Sequence, residues 1–196
     1  MINFFFPFIF LSIISLIVSV NFRIDLNKSF LISILSIPLF IFFVGNFLSL
    51  NFSIYLMIFF SFLYLLINQN FKKIIAPNLL KKIFWYFIIY ILIILYSSNL
   101  FLHKYDEFSE YGIISKLIFY EGELMNNITI ISAKGSPHKI NIMGYLNYFF
   151  LKTSLSEFKE QFLYIAQNTL SIILIINLIE FITGNLKKIS YFIVLF

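Results

Sequence analysis

The sequence predicts an all-α protein, a polytopic bundle of about five membrane-spanning helices with one amphipathic helix on its outer surface. Of its 196 residues, 61% are hydrophobic and only 12% are charged, whereas a soluble domain carries about 25% charged residues. The mean hydropathy is +0.95. Several uncharged runs reach the roughly 20 residues that a helix needs to cross a bilayer. Composition and run length therefore exclude an ordinary soluble domain.

Residues 1–102 are predicted to contain four spans. Residues 2–22 carry no charge and form the first. Residues 29–71 are an uncharged run of 43 residues, which is too long for one helix and suits two. We expect the break between Gly45 and Asn51, because glycine and asparagine favour turns. Pro38 falls inside the first helix of this pair, which a membrane helix tolerates. The fourth span is predicted over residues 83–102.

The C-terminal part, residues 162–196, is predicted to hold a fifth span over 162–183. Asn177 and Glu180 stand out in this span, and we expect Glu180 to extend to the nearby interface, close to Lys187 and Lys188. A new apolar run begins at Ile189, which we interpret as the interrupted start of another helix. Residues 140–151 are uncharged but too few to cross the bilayer, so a re-entrant or interfacial segment is expected there.

The basic residues predict the orientation. One side of the predicted bundle carries eight basic residues and one acid, Asp25, whereas residues 103–161 on the other side carry six lysines and seven acids. Short cytoplasmic loops are enriched in Lys and Arg. The N-terminus and residues 103–161 are therefore expected outside the cell's inner membrane. The net charge of +5 reflects this topology and not a nucleic-acid partner, and the absence of cysteine excludes thiol chemistry.

The polar region, residues 103–161, is where we expect any chemistry. His103, Asp106, Glu107 and Glu110 follow the spacing i, i+3, i+4, i+7 and share one face if the fourth helix continues through them. Clustered carboxylates repel one another, so such a face suits a paired lysine, a bound cation or a general base with a raised pKa. Asp106 and Glu107 would be the ligands of a divalent metal ion. The alternative is that these charges are simply excluded from the spans.

Two further segments complete the polar region. Residues 111–125 combine apolar residues at helical spacing with polar positions that include Lys116, which predicts an amphipathic helix on the membrane surface. Lys134, His138 and Lys139 surround a Gly-Ser-Pro turn and could contact phosphate. A solvated basic turn is the alternative.

Residues 105–112 (YDEFSEYG), followed by Lys116 and by the aromatic segment YLNYFF at 145–150, resemble bacterial multi-spanning glycosyltransferases of the type C architecture (GT-C). These enzymes take sugars from lipid-linked donors. The resemblance implies that Asp106 is the catalytic base, with Glu107 as its neighbour. The residues it implies as substrate contacts are His103, Glu110, Lys116, Lys134, His138 and Lys139, the last three facing the donor phosphate.

The chain departs from the family pattern at Glu110 and Tyr111, where the family has aromatic and histidine residues, and family members are far longer. Two other classes stay open. A transporter subunit predicts charged residues at the midplane of the spans. A non-catalytic membrane protein or assembly subunit predicts small-xxx-small packing motifs, of which no clear example is identified. The expected partners are membrane lipids, a lipid-linked sugar donor and further membrane subunits.

Overall fold

A computed structural model describes residues 2–68, 77–98, 100, 112–122 and 142–194, with side chains for all of these except 77–78, 113–114 and 185–194. These residues form a 3-10 turn and seven α-helices without any β-strand. The helices are α1 Phe6–Phe22, α2 Leu26–Phe47, α3 Leu50–Ile67, α4 Pro77–Ser97, α5 Ile113–Glu121, α6 Ile142–Thr153 and α7 Gln161–Val194. The predicted all-α class is therefore confirmed.

Five stretches are long and apolar enough to cross a membrane: Ile2–Phe22, Leu26–Phe47, Leu50–Ile67, Leu79–Ser97 and Gln161–Gly184. The number of candidate spans, five, agrees with the prediction. An all-helical bundle with five candidate spans is consistent with a multi-pass membrane protein.

Capping residues explain the sharp boundaries between the first three helices. α1 ends where Arg23 takes the left-handed conformation, with a φ of 53°. α2 follows at once, because the Asp25 carboxylate accepts a hydrogen bond from the backbone N–H of Asn27 at 3.0 Å and serves as the N-cap. Ser49 caps α3 by accepting from the N–H of Phe52 at 3.2 Å. The predicted break between α2 and α3 is thus confirmed.

The fourth helix does not have its predicted bounds. It begins at Pro77 and ends at Ser97, not at residues 83 and 102. The early start includes Lys81 and Lys82, because charged residues at a membrane edge are compatible with a helix even though they interrupt an uncharged run. The prediction that residues 103–110 share one face depended on this helix continuing through them. The helix ends at Ser97, so that condition is not met. Residues 101–111 themselves lie outside the described residues.

The last helix is longer than predicted. α7 is one continuous helix of 34 residues, so the apolar run after Lys188 continues α7 and does not start a separate helix. At about 1.5 Å per residue its length is roughly 50 Å, against a hydrocarbon core of about 30 Å. The candidate span within it, Gln161–Gly184, has 24 residues. Uninterrupted backbone hydrogen bonding, and not hydropathy, sets this helix's length.

The helix α6 is the most deeply buried element in the described part of the chain. Each residue from Gly144 to Leu151 is buried, since α6 packs against α2, α5 and α7 and also touches α1 and α3. This segment is therefore covered by protein, and the re-entrant and interfacial alternatives both stay predictions. By contrast α3, although long enough to span, buries only Leu50, Ser53 and Ile54.

Buried serines line α1 and α2, the two helices that pack most extensively against each other. Ser15 and Ser19 are buried on α1, and Ser29 and Ser33 on α2. Each pair has small-xxx-small spacing, the pattern that allows membrane helices to approach closely. The motif is not evident from the sequence alone, because it contains serine instead of glycine.

Candidate functional site around helix α5

Seven of the eight predicted site residues lie outside the described residues: His103, Asp106, Glu107, Glu110, Lys134, His138 and Lys139. Their predicted roles, and the metal ion proposed for Asp106 and Glu107, therefore stay predictions. Within the described residues there is no group of three His, Asp or Glu side chains that could hold a metal ion. Lys116 is the predicted site residue that the structure does place.

Lys116 lies on α5, which runs from Ile113 to Glu121 between the two segments that contain the other predicted residues. Its side chain is exposed, and its Nζ lies 5.9 Å from the centre of the Phe158 ring in the turn between α6 and α7. A cation over an aromatic face is attracted by the ring quadrupole. The lysine is thus oriented by its neighbour while its charge remains available to solvent.

The helix α5 is amphipathic, as predicted, but its buried face packs on protein. Ser115, Ile118, Phe119 and Gly122 are buried at the spacing i, i+3, i+4, i+7, and α5 packs against α6. The Nδ2 of Asn147 on α6 donates to the Ser115 hydroxyl at 3.1 Å. The packing of one face on α6 is thus shown, and the position of this helix on the membrane surface stays a prediction.

The end of α5 is joined to the start of α3. Gly122 has a φ of 68°, and its carbonyl accepts from the N–H of Leu50 at 3.1 Å. The side chain of Asn51 lies against Gly122 and accepts a hydrogen bond from the Tyr148 hydroxyl of α6 at 2.7 Å. These contacts connect α3, α5 and α6 at one place, which we call the α5–α6 end of the bundle.

Two more lysines at the α5–α6 end lie over aromatic rings. Lys152 Nζ is 4.3 Å from the Phe119 ring centre, and Lys159 Nζ is 5.6 Å from that of Phe4. The carboxylates of Glu121, Glu157 and Glu160 belong to the same part of the chain. The surface is therefore mixed in charge and rich in aromatic residues, as is common at a membrane–water boundary.

A second polar cluster lies at the opposite end of the bundle, which we call the Asp25 end. Asp25 forms an ion pair with Lys82 of α4, the one ion pair found among the described residues. Burial raises the pKa of the Asp25 carboxyl, but hydrogen bonds from Lys82 and from the Asn27 backbone outweigh this and leave the pKa below its usual value. The pair thus joins the start of α2 to α4.

Asn27 is the centre of this cluster. Its side-chain oxygen accepts from the Tyr86 hydroxyl at 3.1 Å, and its Nδ2 donates to Glu180 of α7 at 3.2 Å. Its backbone carbonyl accepts from Asn177 at 3.1 Å. Glu180 is therefore hydrogen-bonded within the bundle, whereas the expected approach to Lys187 and Lys188 falls on side chains outside the described set. Asn177 and Glu180 stand out in the sequence as polar residues three positions apart in an apolar helix, but nothing local identifies Asn27 as their partner.

The charged residues within the five candidate spans are Lys28, Lys81, Lys82 and Glu180. All four lie near the Asp25 end of their candidate spans and not halfway along them. The transporter alternative, which predicts charges at the midplane, gains no support from these spans.

Comparison with known proteins gives no match to any family model, to any curated protein or to any solved structure. The resemblance to type C glycosyltransferases thus depends on the sequence motif alone.

Proposed function

We propose that the chain is a membrane glycosyltransferase, or part of one, that transfers a sugar from a lipid-phosphate donor to a cell-surface glycan or lipid acceptor. The observation that carries the proposal is the position of α5. This helix is anchored to α3 and α6, and it connects the segment containing the motif at 105–112 to the segment containing the basic turn at 134–139. Both segments therefore adjoin α5 in the chain.

The proposed orientation places the α5–α6 end outside the inner membrane and the Asp25 end in the cytoplasm. At the Asp25 end the described residues include Arg23, Lys28, Lys81 and Lys82, against the acids Asp25 and Glu180. A basic excess of this kind is typical of cytoplasmic loops. The acceptor and the donor head group would then meet on the extracytoplasmic side.

The proposed reaction needs a base and a positive charge. Asp106 would take the proton of the acceptor hydroxyl, with Glu107 beside it. The acceptor oxygen forms a bond to the anomeric carbon, and the bond from that carbon to the phosphate oxygen breaks, so the lipid phosphate leaves with the electron pair. Lys134, His138 and Lys139 would stabilise that charge. Their segment leads into the N-terminus of α6 at Ile142, where the helix dipole also favours anions.

Substrate contacts would come from His103, Glu110 and Lys116; the exposure of the Lys116 side chain on α5 supports its part in this. If a divalent metal ion takes part, Asp106 and Glu107 are its ligands. Membrane lipids and further membrane subunits are the other proposed partners.

The test is Asp106→Ala in the native host, with surface glycan and glycolipid as the readout. A positioned general base contributes about 10²- to 10⁴-fold to a rate, so the glycan should fall to background while the protein level stays normal. The exposed carboxylate Glu157 provides a matched control, since Glu157→Ala should leave the glycan unchanged. Normal glycan in the Asp106→Ala strain, with normal protein level, would rule out the proposal.

A further inference from the structure

Asn147 is a buried polar residue in which only one of the two polar side-chain atoms forms a hydrogen bond with the described residues. The residue is 2% exposed, and its Nδ2 donates to Ser115 at 3.1 Å. Its Oδ1 has no hydrogen-bond partner among the residues that the structure describes. A buried acceptor without a partner costs free energy, and replacing such a pair by apolar groups of similar shape is often neutral or stabilising. Stability alone therefore does not explain an asparagine at this position.

The rotation of α5 about its own axis, where it packs on α6, must be fixed by a specific contact. α5 has nine residues, too few for a stable isolated helix, so its setting depends on packing. Leu117, Ile118 and Phe119 are consecutive apolar residues and point in different directions around the helix axis. Hydrophobic contact thus permits more than one rotation of α5, whereas a single rotation places Ser115 next to Asn147.

We propose that Asn147 is a positioning residue: its hydrogen bond to Ser115 selects one rotation of α5 on α6 and so determines where Lys116 stands on the surface. Buried polar groups have this effect in coiled coils, where one asparagine specifies register at a cost in stability. Lys116 adjoins Ser115 in the chain and lies over Phe158, so a rotated α5 would displace its charge. The claim that Lys116 contacts a substrate rests on the proposed function. The claim that Asn147 selects the rotation of α5 is independent of it.

The experiment uses the absence of cysteine from the chain. Tyr120→Cys on α5 and Leu66→Cys at the far end of α3 introduce spin labels at positions that are 64% and 79% exposed. Pulsed electron paramagnetic resonance then measures the distance distribution between the labels. The labelled parent should show one narrow distance. In the Asn147→Leu/Ser115→Ala background the distribution should broaden or gain a second population, while the unfolding temperature stays equal or rises.

Asn177→Leu is the control, because it removes a half-buried asparagine contact at the Asp25 end and should leave the narrow distance unchanged. Two results would overturn the proposal. One is an unchanged distribution in the Asn147→Leu/Ser115→Ala background. The other is a broadened distribution together with a lower unfolding temperature, which would make Asn147 an ordinary stabilising contact. A failure of the Asp106→Ala test would affect only the link to a substrate, since the distance measurement does not depend on transfer.

Discussion

At the α5–α6 end the helices meet through buried surfaces, whereas at the Asp25 end they meet through polar side chains, several of which are partly exposed. Tyr148, Phe149 and Phe150 of α6 are fully buried. The ion pair at the opposite end is formed by side chains that are 41% and 37% exposed, those of Lys82 and Asp25. Both ends join several helices, but they do so by different forces.

This difference indicates which contacts depend on the pH and the salt concentration. Packing of apolar side chains involves no titratable group and so does not respond directly to pH, and its loss leaves a cavity that the surroundings fill only in part. Exposed ion pairs are screened by salt and contribute about 0.2–1 kcal/mol each. We therefore expect the α5–α6 end to dominate stability and the Asp25 end to confer the dependence on pH.

The largest effect is expected for Phe149→Ala. Phe149 is 0% exposed, and lipid is as apolar as the bundle interior, so the loss is mainly the cavity term of about 2 kcal/mol in the free energy of unfolding. Thermal unfolding in detergent, followed by circular dichroism, measures it. Phe59→Ala on α3, where the ring is 61% exposed, should change stability by less than ~0.5 kcal/mol. Equal losses would show that burial in the bundle does not distinguish the two positions.

The next largest effect on stability is expected when each of two glycines is replaced by alanine. Gly122 has a φ of 68°, and a Cβ atom there would lie 2.5 Å from Nδ2 of Asn51. Gly122→Ala should destabilise by about 1–2 kcal/mol through the left-handed backbone alone, and more if Asn51 loses Tyr148. Gly184 on α7 has open space around it, so Gly184→Ala should instead stabilise by about 0.5–1 kcal/mol. The two substitutions should therefore shift the unfolding temperature in opposite directions, and a shared sign would contradict the description of the α5–α6 end.

The smallest effect is the dependence on pH. The folded-state pKa of Asp25 is lowered, so its contribution is complete above the unfolded carboxyl value of about 3.9. It is lost as the pH falls through the lower folded value. The contribution of Asp25 to the free energy of unfolding should not exceed about 1 kcal/mol, because its ion pair with Lys82 is partly exposed and is screened by salt.

Asp25→Asn tests this prediction, since asparagine is an equally good N-cap but cannot titrate. Unfolding temperatures of parent and variant should differ at neutral pH and converge at acidic pH below the folded pKa. A constant difference across that range would show that the ion pair with Lys82 carries no stability. The α5–α6 end supplies the control, because Asn51→Ala should lower the unfolding temperature by the same amount at each pH.

Much of the fold was predictable from local patterns, while the contacts were not. The uncharged runs indicated the five candidate spans, and Gly45 to Asn51 marked the break between α2 and α3. Lys81 and Lys82 misled the prediction of where α4 begins, because charge was taken as the end of a helix. Of the candidate site, the amphipathic helix that contains Lys116 was predictable, but the partner of its buried face was not.

The sequence by itself determined that the chain is helical and where its long apolar segments lie, because hydropathy and capping act over one or two helical turns. Only the tertiary structure decided that α6, with fewer apolar residues than a span needs, is the most buried helix among those described, while α3 faces outward. It also decided that Asn27 joins three helices and that Asn147 meets Ser115. These outcomes depend on which helix surfaces come together, and residues far apart in the chain contribute the two sides of each contact.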